Sequence, residues 1–413
     1  MSSYAVFLGH QPHISIAELA AVLPDFSLGE VQKEVAMFET GYDLNQNFIN
    51  ILGGTILIAK QITTSTVSLQ DIPQLLNNEM QGGKRSKVTF SFRCIGLSPR
   101  KVHDLYRASK QYLKKKGQPS RYVGNERKPA LPVVLHSNDM IEGKRGCEIV
   151  IIADPETGDL WVGKTVAAQD IDSYSKRDIQ KPVRDTGVGL LPPKLAQILL
   201  NFGMWAVLQG KKAPKTKKFS LPKIAIFDPF CGTGVIPMEC LLREWSVQAS
   251  DLVQKAVTGT EKNLEWLRKE EKIMKKDVTS EVCKHDAKKP FTLKKMPDAI
   301  VTETTLGPPL MKRPPLKDVQ KMRTENDQLQ VDFLKNAAAT LPGVPLVCTF
   351  PAWYSSKGPE YLKRVWQEAE KLGYKAMLPI DAIPETTGRT SLLYRRPSQV
   401  VGREIVIWMS QSK

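Results

Sequence analysis

Apolar positions along the chain fall into two regimes. Residues 4–8 (YAVFL), 34–40 (EVAMFET) and 53–62 (GGTILIAKQI) read as strands. Residues 15–23 (SIAELAAVL) have helical spacing, with Ser15 as expected N-cap and Glu18 as its capping-box partner. NQNFINIL reads as a second helix. KVTFSFRCIG alternates as a strand, and 99–117 reads as a helix with Pro99 in its first turn and Gly117 at its C-cap. LPVVLHSND and the two halves of CEIVIIADPETGDLWVGKTVA are expected as three strands, the last two joined by the DPETGD turn. Residues 172–188 are polar and read as a linker, and 192–208 as a helix opened by Pro192 and Pro193. From 223 onward strand and helix alternate, the pattern of a doubly wound α/β sheet. VPLVCTFPAW is expected as its fifth strand, 359–374 as an amphipathic helix, and 391–409 as two strands around a turn.

Composition narrows the class. The chain has 413 residues and a formal net charge of +16, enough for two or three domains. No apolar run is long enough to span a bilayer, and the N-terminus lacks a basic segment followed by an apolar core. Six cysteines without a CxxC pair point to reduced thiols in a cytoplasm rather than to disulfides or a zinc site. His10 and His13 are close, but no third ligand suggests a metal.

The charge is segregated. Residues 1–80 carry two basic side chains, Lys33 and Lys60, against eight acids. Residues 81–150 carry 16 basic and 5 acidic side chains. The helix at 99–117 places Arg100, Lys101, Arg107 and Lys114 among Tyr106 and Tyr112, a pattern suited to phosphate. Residues 211–218 (KKAPKTKK) form a further basic loop.

The strongest local chemistry lies in KIAIFDPFCGTGVIPMECLL at 223–242. An apolar strand ends in Asp228, and Pro229-Phe230-Cys231-Gly232-Thr233-Gly234 turns into a helix. The glycines let backbone approach a ligand. An acid ahead of the turn repels a pyrophosphate but accepts from an ammonium, which favours a cofactor with an amino-acid tail over a dinucleotide. Asp251 closes the next strand, 23 positions later, where an acid accepts ribose hydroxyls. Asp286, in CKHDA, is the candidate acceptor for an adenine amino group.

These motifs resemble the class I S-adenosylmethionine-dependent methyltransferases that act on nucleic-acid amines. KPVRDTGVGLLPPKLAQILLN, LGHQPHISIAEL and LGGTILIAK are similar to the THUMP-containing tRNA guanine-N2 methyltransferases of the guanosine-10 type. The resemblance implies a Rossmann-like seven-stranded methyltransferase domain at 191–413, an α+β unit at 1–80, a THUMP-like RNA-binding domain at 81–170 and a linker at 171–190. It implies S-adenosyl-L-methionine bound by Asp228, Pro229, Cys231, Gly232, Gly234, Asp251 and Asp286. It implies tRNA as substrate, held through Arg100, Lys101, Arg107, Lys114 and Arg184, with a small activating subunit in some relatives. The family's fourth strand ends in [DN]-P-P-[YF]-G. Here Glu303-Thr304-Thr305-Leu306-Gly307-Pro308-Pro309 stands instead, with Glu303 in the acid position and Leu306 in the aromatic one. Glu303, Thr304 and Leu306 are therefore the candidate catalytic residues. Two alternatives stand beside this reading: an RNA-binding protein with an impaired methyltransferase fold, and a methyltransferase for another base. Of the thiols, Cys348, expected at the end of the fifth strand, is the candidate nucleophile for a pyrimidine C5 reaction. Tyr394, Arg395, Arg396 and Arg403 are expected near the last turn, with phosphate contact or solubilisation as their uses.

Overall fold

The computed structural model describes residues 1–80, 87–141, 146–185, 190–211, 219–308, 310, 312–355, 358–381, 387–397 and 399–410. The basic loop at 211–218, beyond Lys211, lies outside them, as do Pro309 and part of the expected linker.

The first 168 residues build one eight-stranded sheet, ordered Val31–Gln32, Val35–Thr40, Ser2–Leu8, Thr55–Gln61, Leu160–Ala168, Gly146–Ala153, Val88–Ile95 and Ser120–Tyr122. Thr55–Gln61 pairs antiparallel with Leu160–Ala168, so hydrogen bonds cross the expected boundary at residue 80. The charge step there marks two halves of a single sheet rather than two sheets. The DPETGD hairpin forms as expected.

Three local expectations fail ahead of the second sheet. PVVLHS is the helix Pro132–Ser137, because Leu131 is extended and Pro132 occupies the first turn. A four-residue apolar run does not distinguish the two periods. The linker contains the helix Ile171–Ile179, capped by Asp170, whose carboxylate accepts from Ser173 N at 3.0 Å. Ser15 and Glu18 do not cap: the helix starts at Pro12 and both residues are buried within it. Ser15 Oγ donates to Gly54 O at 2.6 Å, and the Glu18 carboxylate accepts from Gly53 N and Gly54 N at 2.9 and 2.7 Å.

The second sheet contains β1 (Ala225–Asp228), β2 (Ser246–Asp251), β3 (Ser280–Lys284), β4 (Ala299–Glu303), β5 (Leu346–Ser355), β6 (Tyr374–Ala376) and β7 (Val401–Ser410). Their order is β3-β2-β1-β4-β5-β7-β6. β1 to β5 are parallel, and β7 runs antiparallel to β5 and β6. This is the seven-stranded α/β architecture that the resemblance implies. Gly358–Glu360 adds to β5 and Leu392–Tyr394 to β7. The former takes the start of the expected helix at 359–374, which spans only Arg364–Lys371. Cys348 is the third residue of β5, fully buried rather than at its end, and burial pushes its thiol up, the opposite of an activated nucleophile.

The helix Pro193–Leu208 joins the two units. Leu195, Leu199 and Phe202 share one apolar core with Ile14 and Phe48 on the N-terminal side and Ile226, Val301 and Ile405 on the sheet side. Gly203 faces the Val301 side chain, and a Cβ there would approach it to 2.6 Å. The units therefore meet through packed side chains.

Candidate active site

The cleft forms at the carboxyl ends of β1, β2 and β4, next to the first crossover of the sheet. Open α/β sheets bind ligands at such switch points. It encloses about 220 Å³, with Asp228, Cys231, Gly232, Asp251 and Glu303 in its wall, and Leu190 and Leu191 as an apolar side.

Asp228 is 1% exposed. Its Oδ1 accepts from Thr302 Oγ1 at 2.6 Å and from Phe230 N at 3.3 Å. Burial raises its carboxyl to about 7, against those hydrogen bonds and helped by the charges of Asp251 and Glu303. A cation entering the cleft would restore the anion. Pro229 is buried behind it and does not line the cavity.

The turn after β1 depends on its glycines. Gly232 and Gly234 have φ of 53° and 83°, the left-handed region. Gly234 caps the helix Val235–Leu242, and a Cβ there would lie 2.7 Å from Thr260 Cγ2. Thr260 Oγ1 donates to Gly232 O at 2.9 Å, and Asn263 Nδ2 to Thr233 O at 2.8 Å. Asn263 also donates to Val183 O and accepts from Val183 N, both at 2.9 Å, tying the segment ahead of the helix Pro193–Leu208 to the glycine turn. Thr260 and Asn263 are not among the residues that the sequence motifs single out. Their signal is two polar residues, three apart, on the buried face of the helix Gln254–Glu271.

Asp251 uses one oxygen on Gly232 N at 3.0 Å and the other on Val253 N at 2.9 Å. Each carboxylate oxygen retains acceptor capacity toward the cavity. Cys231 is buried in the wall with its thiol pushed well up, so it is a packing residue.

Asp286 does not join this group. It accepts from Lys288 N at 3.0 Å and borders a separate open cavity with Lys288, Lys335 and Asn336. It lies two residues past β3, and its neighbour His285 bonds Asp251 O instead.

At the end of β4 the three candidate residues diverge. Glu303 faces the cavity, and Arg403 Nε donates to its Oε1 at 2.5 Å. Burial raises the Glu303 carboxyl and the Arg403 charge opposes that shift. Arg403 is 3% exposed, not the surface arginine expected near the last turn. Thr304 is turned away from the cavity, its hydroxyl bonded to Thr349 O at 2.7 Å. Leu306 is half-buried and outside the wall, in a loop held by Asn326 Nδ2 on Thr305 O at 2.9 Å. Phe230 supplies an aromatic ring to the cleft, edge-on against Phe333 at 5.1 Å.

No protein-family model and no curated protein sequence matches the chain. Among solved structures it is similar to TrmN from Thermus thermophilus, at 14% identity and a TM-score of 0.49, over 99% of this chain and 100% of that one. It is also similar to a possible methylase from Clostridium difficile 630, at 10% identity and 0.48, over 100% and 99% of the two chains. A third is the magnesium protoporphyrin IX methyltransferase ChlM from Synechocystis PCC 6803 with bound SAH, at 11% identity and 0.33, over 58% and 94%.

The residues expected to hold RNA are not in one place. Arg100, Lys101, Arg107 and Lys114 are exposed on the helix Pro99–Lys115, whose Val102, Leu105 and Leu113 face the core. Arg184 is exposed at the mouth of the cleft in the other unit. Tyr106 is packed on Tyr122 at 4.7 Å. Arg395 lies over the Tyr354 ring at 3.6 Å and bonds Gln399 O. Among the described residues no group of three or more His, Cys, Asp or Glu could hold a metal, and no helix is long and apolar enough to cross a membrane.

Proposed function

We propose that this protein is an S-adenosylmethionine-dependent RNA methyltransferase of the THUMP-containing type, and that it modifies the exocyclic N2 of a guanosine in tRNA. The observation that carries the reading is one cleft wall containing Asp228, the glycine turn, Asp251 and Glu303. A buried carboxyl, a backbone turn open at Gly232 and an acid with spare acceptor capacity fit an ammonium, a close-packed tail and a ribose. The cofactor supplies an electrophilic methyl on a sulfonium when bound.

An aryl amine is a poor nucleophile because its lone pair is delocalised. The chain's task is to orient it within about 3 Å of its target and accept its hydrogens. Glu303 is the acceptor in this reading: Oε1 is engaged by Arg403, whose charge opposes the upward shift that burial imposes on this carboxyl at the cavity wall. Phe230, rather than Leu306, offers the aromatic surface. The basic helix Pro99–Lys115 holds the RNA backbone away from the cleft, and Arg184 meets it at the mouth.

A second reading keeps cofactor and RNA binding without transfer. It is favoured by the engagement of Glu303 with Arg403 and by the absence of an aromatic residue at 306. Labelled S-adenosylmethionine and unmodified tRNA, followed by nucleoside mass spectrometry, separate the two. N2-methylguanosine made by the native chain and lost in Asp228→Ala supports transfer. Another methylated nucleoside retains the class and rejects guanine N2. Tight binding of both ligands without product supports the second reading, and product only in the presence of cell extract points to an activating subunit.

A further inference from the structure

Arg403 stands on β7, opposite Pro351 of β5 and Tyr394 of the short strand Leu392–Tyr394, so strands flank it on both sides. Its side chain is 4% exposed. Nε donates to Glu303 Oε1 at 2.5 Å, and Nη2 donates to Leu190 O at 3.2 Å. One guanidinium thus joins the end of β4 to the segment that forms the apolar wall of the cofactor cleft. We propose that Arg403 is the positioning residue of this cleft, holding Glu303 as an oriented carboxylate and latching the Leu190 segment beside it.

The surroundings make this pairing decisive. Burial favours a neutral Glu303, and Asp228 from β1 and Asp251 from β2 share the wall with it. Arg184, Asp185 and Lys255 border the same cavity nearer its mouth, where water screens them. Glu404, adjacent to Arg403 on β7, points to the opposite face and is engaged by Arg389 at 2.6 and 2.7 Å. Arg403 is therefore the buried cation that meets Glu303. A buried guanidinium and a buried carboxylate each require the other, because neither is tolerated alone in a low dielectric. The extra methylene of glutamate over the family's aspartate or asparagine fits this arrangement, since it extends the carboxylate from β4 toward β7. A protonated Glu303 would present a hydroxyl donor and could no longer accept from an amine with both oxygens.

The catalytic consequence rests on Glu303 being the acceptor of the target amine; the electrostatic assignment does not. Full-length protein is compared as native chain, Arg403→Lys and Arg403→Met, each with and without Glu303→Gln. Infrared difference spectra against the Glu303→Gln background isolate the Glu303 carboxyl. Native protein is expected to show a carboxylate at about pH 7, with Arg403→Lys close to it. Arg403→Met is expected to show a protonated carboxyl that disappears in Arg403→Met/Glu303→Gln. In methyl transfer to tRNA, Arg403→Met should lose at least about tenfold in kcat near pH 7 and regain it as pH rises. An equally ionised Glu303 in Arg403→Met overturns the proposal, as does a rate loss that is the same at every pH. If Arg403→Met does not fold, Arg403→Gln, which keeps hydrogen-bond donors without the charge, takes its place, and an equally ionised Glu303 in that variant overturns the proposal. A native protein without transfer but with the spectral shift removes the function proposed above and leaves the role of Arg403 intact.

Discussion

Asn201, on the helix that joins the two units, donates its side-chain amide to Glu18 Oε1 at 2.7 Å. The same carboxylate receives both backbone N–H groups of the Gly53–Gly54 turn. Arg243 completes the arrangement from the end of the helix that follows the glycine turn, donating to Asn201 Oδ1 at 2.9 Å and Ile51 O at 2.8 Å. Removing the carboxylate leaves two buried N–H groups without their acceptor. Glu18→Ala should therefore cost about 2–4 kcal/mol in urea unfolding, as expected for buried unsatisfied donors plus a small cavity. A loss under about 0.5 kcal/mol would show that the turn repacks around water.

Burial raises Glu18 to about 7, and Asp228 to about 7 as well. A raised carboxyl means that the folded state holds a proton the unfolded chain has released. That stabilisation is complete below the ordinary carboxylate range, near 4, and is lost as pH rises through about 7. The cofactor-free protein should thus be more stable at pH 5.5 than at pH 8, by up to about 1.4 kcal/mol per pH unit for each group over that window. Denaturation at several pH values tests this. Glu18→Gln should flatten the slope by one group's share, and an unchanged slope would reassign the proton.

Cofactor binding should run the other way with pH. An ammonium meets an ionised Asp228 better than a neutral one, so affinity should fall about tenfold per pH unit below about 7. Calorimetric titration with S-adenosylhomocysteine tests this, with Asp228→Asn expected to be weaker and insensitive to pH. Equal pH dependence in the variant would place the titrating group elsewhere.

Gly234→Ala combines a left-handed backbone angle with a Cβ pressed against Thr260. A loss of about 1–3 kcal/mol in stability is expected, together with weaker cofactor binding. A second change, Thr260→Ser, removes the Cγ2 that the new Cβ meets and should restore part of both. Failure of that rescue would assign the damage to the backbone angle alone.

Replacing Arg100, Lys101, Arg107 and Lys114 by Gln should weaken tRNA binding without changing cofactor affinity. Each cation withdrawn from a phosphate should reduce the slope of log K against log salt by about 0.7–0.9. Filter binding across a salt series reads this directly, and an unchanged slope would remove this helix from the RNA surface.

The parts of the site that are legible in the sequence are those set by local chain geometry. The strand into Asp228, the glycine turn and the strand into Asp251 are contiguous, and their order alone brings them to one edge. Arg403 is illegible as a partner because a hundred residues separate it from Glu303, and only the pairing of β5 with β7 brings it near. Glu18 and Ser15 imitate a capping box in spacing, yet their groups serve a turn nearly forty residues away. Asp286 occupies the strand-end position that the pattern marks, and the turn after β3 sets its carboxylate on Lys288 N.

The pairing of Thr55–Gln61 with Leu160–Ala168 determines where this chain can be shortened. A protein beginning at residue 81 would leave Leu160–Ala168 as an open sheet edge with unpaired backbone groups, a template for aggregation. It would also expose Leu195 and Leu199, which the N-terminal helix and strands now help to cover. The acidic first eighty residues are thus the missing half of the basic unit's sheet, and any excised fragment of that sheet must carry them.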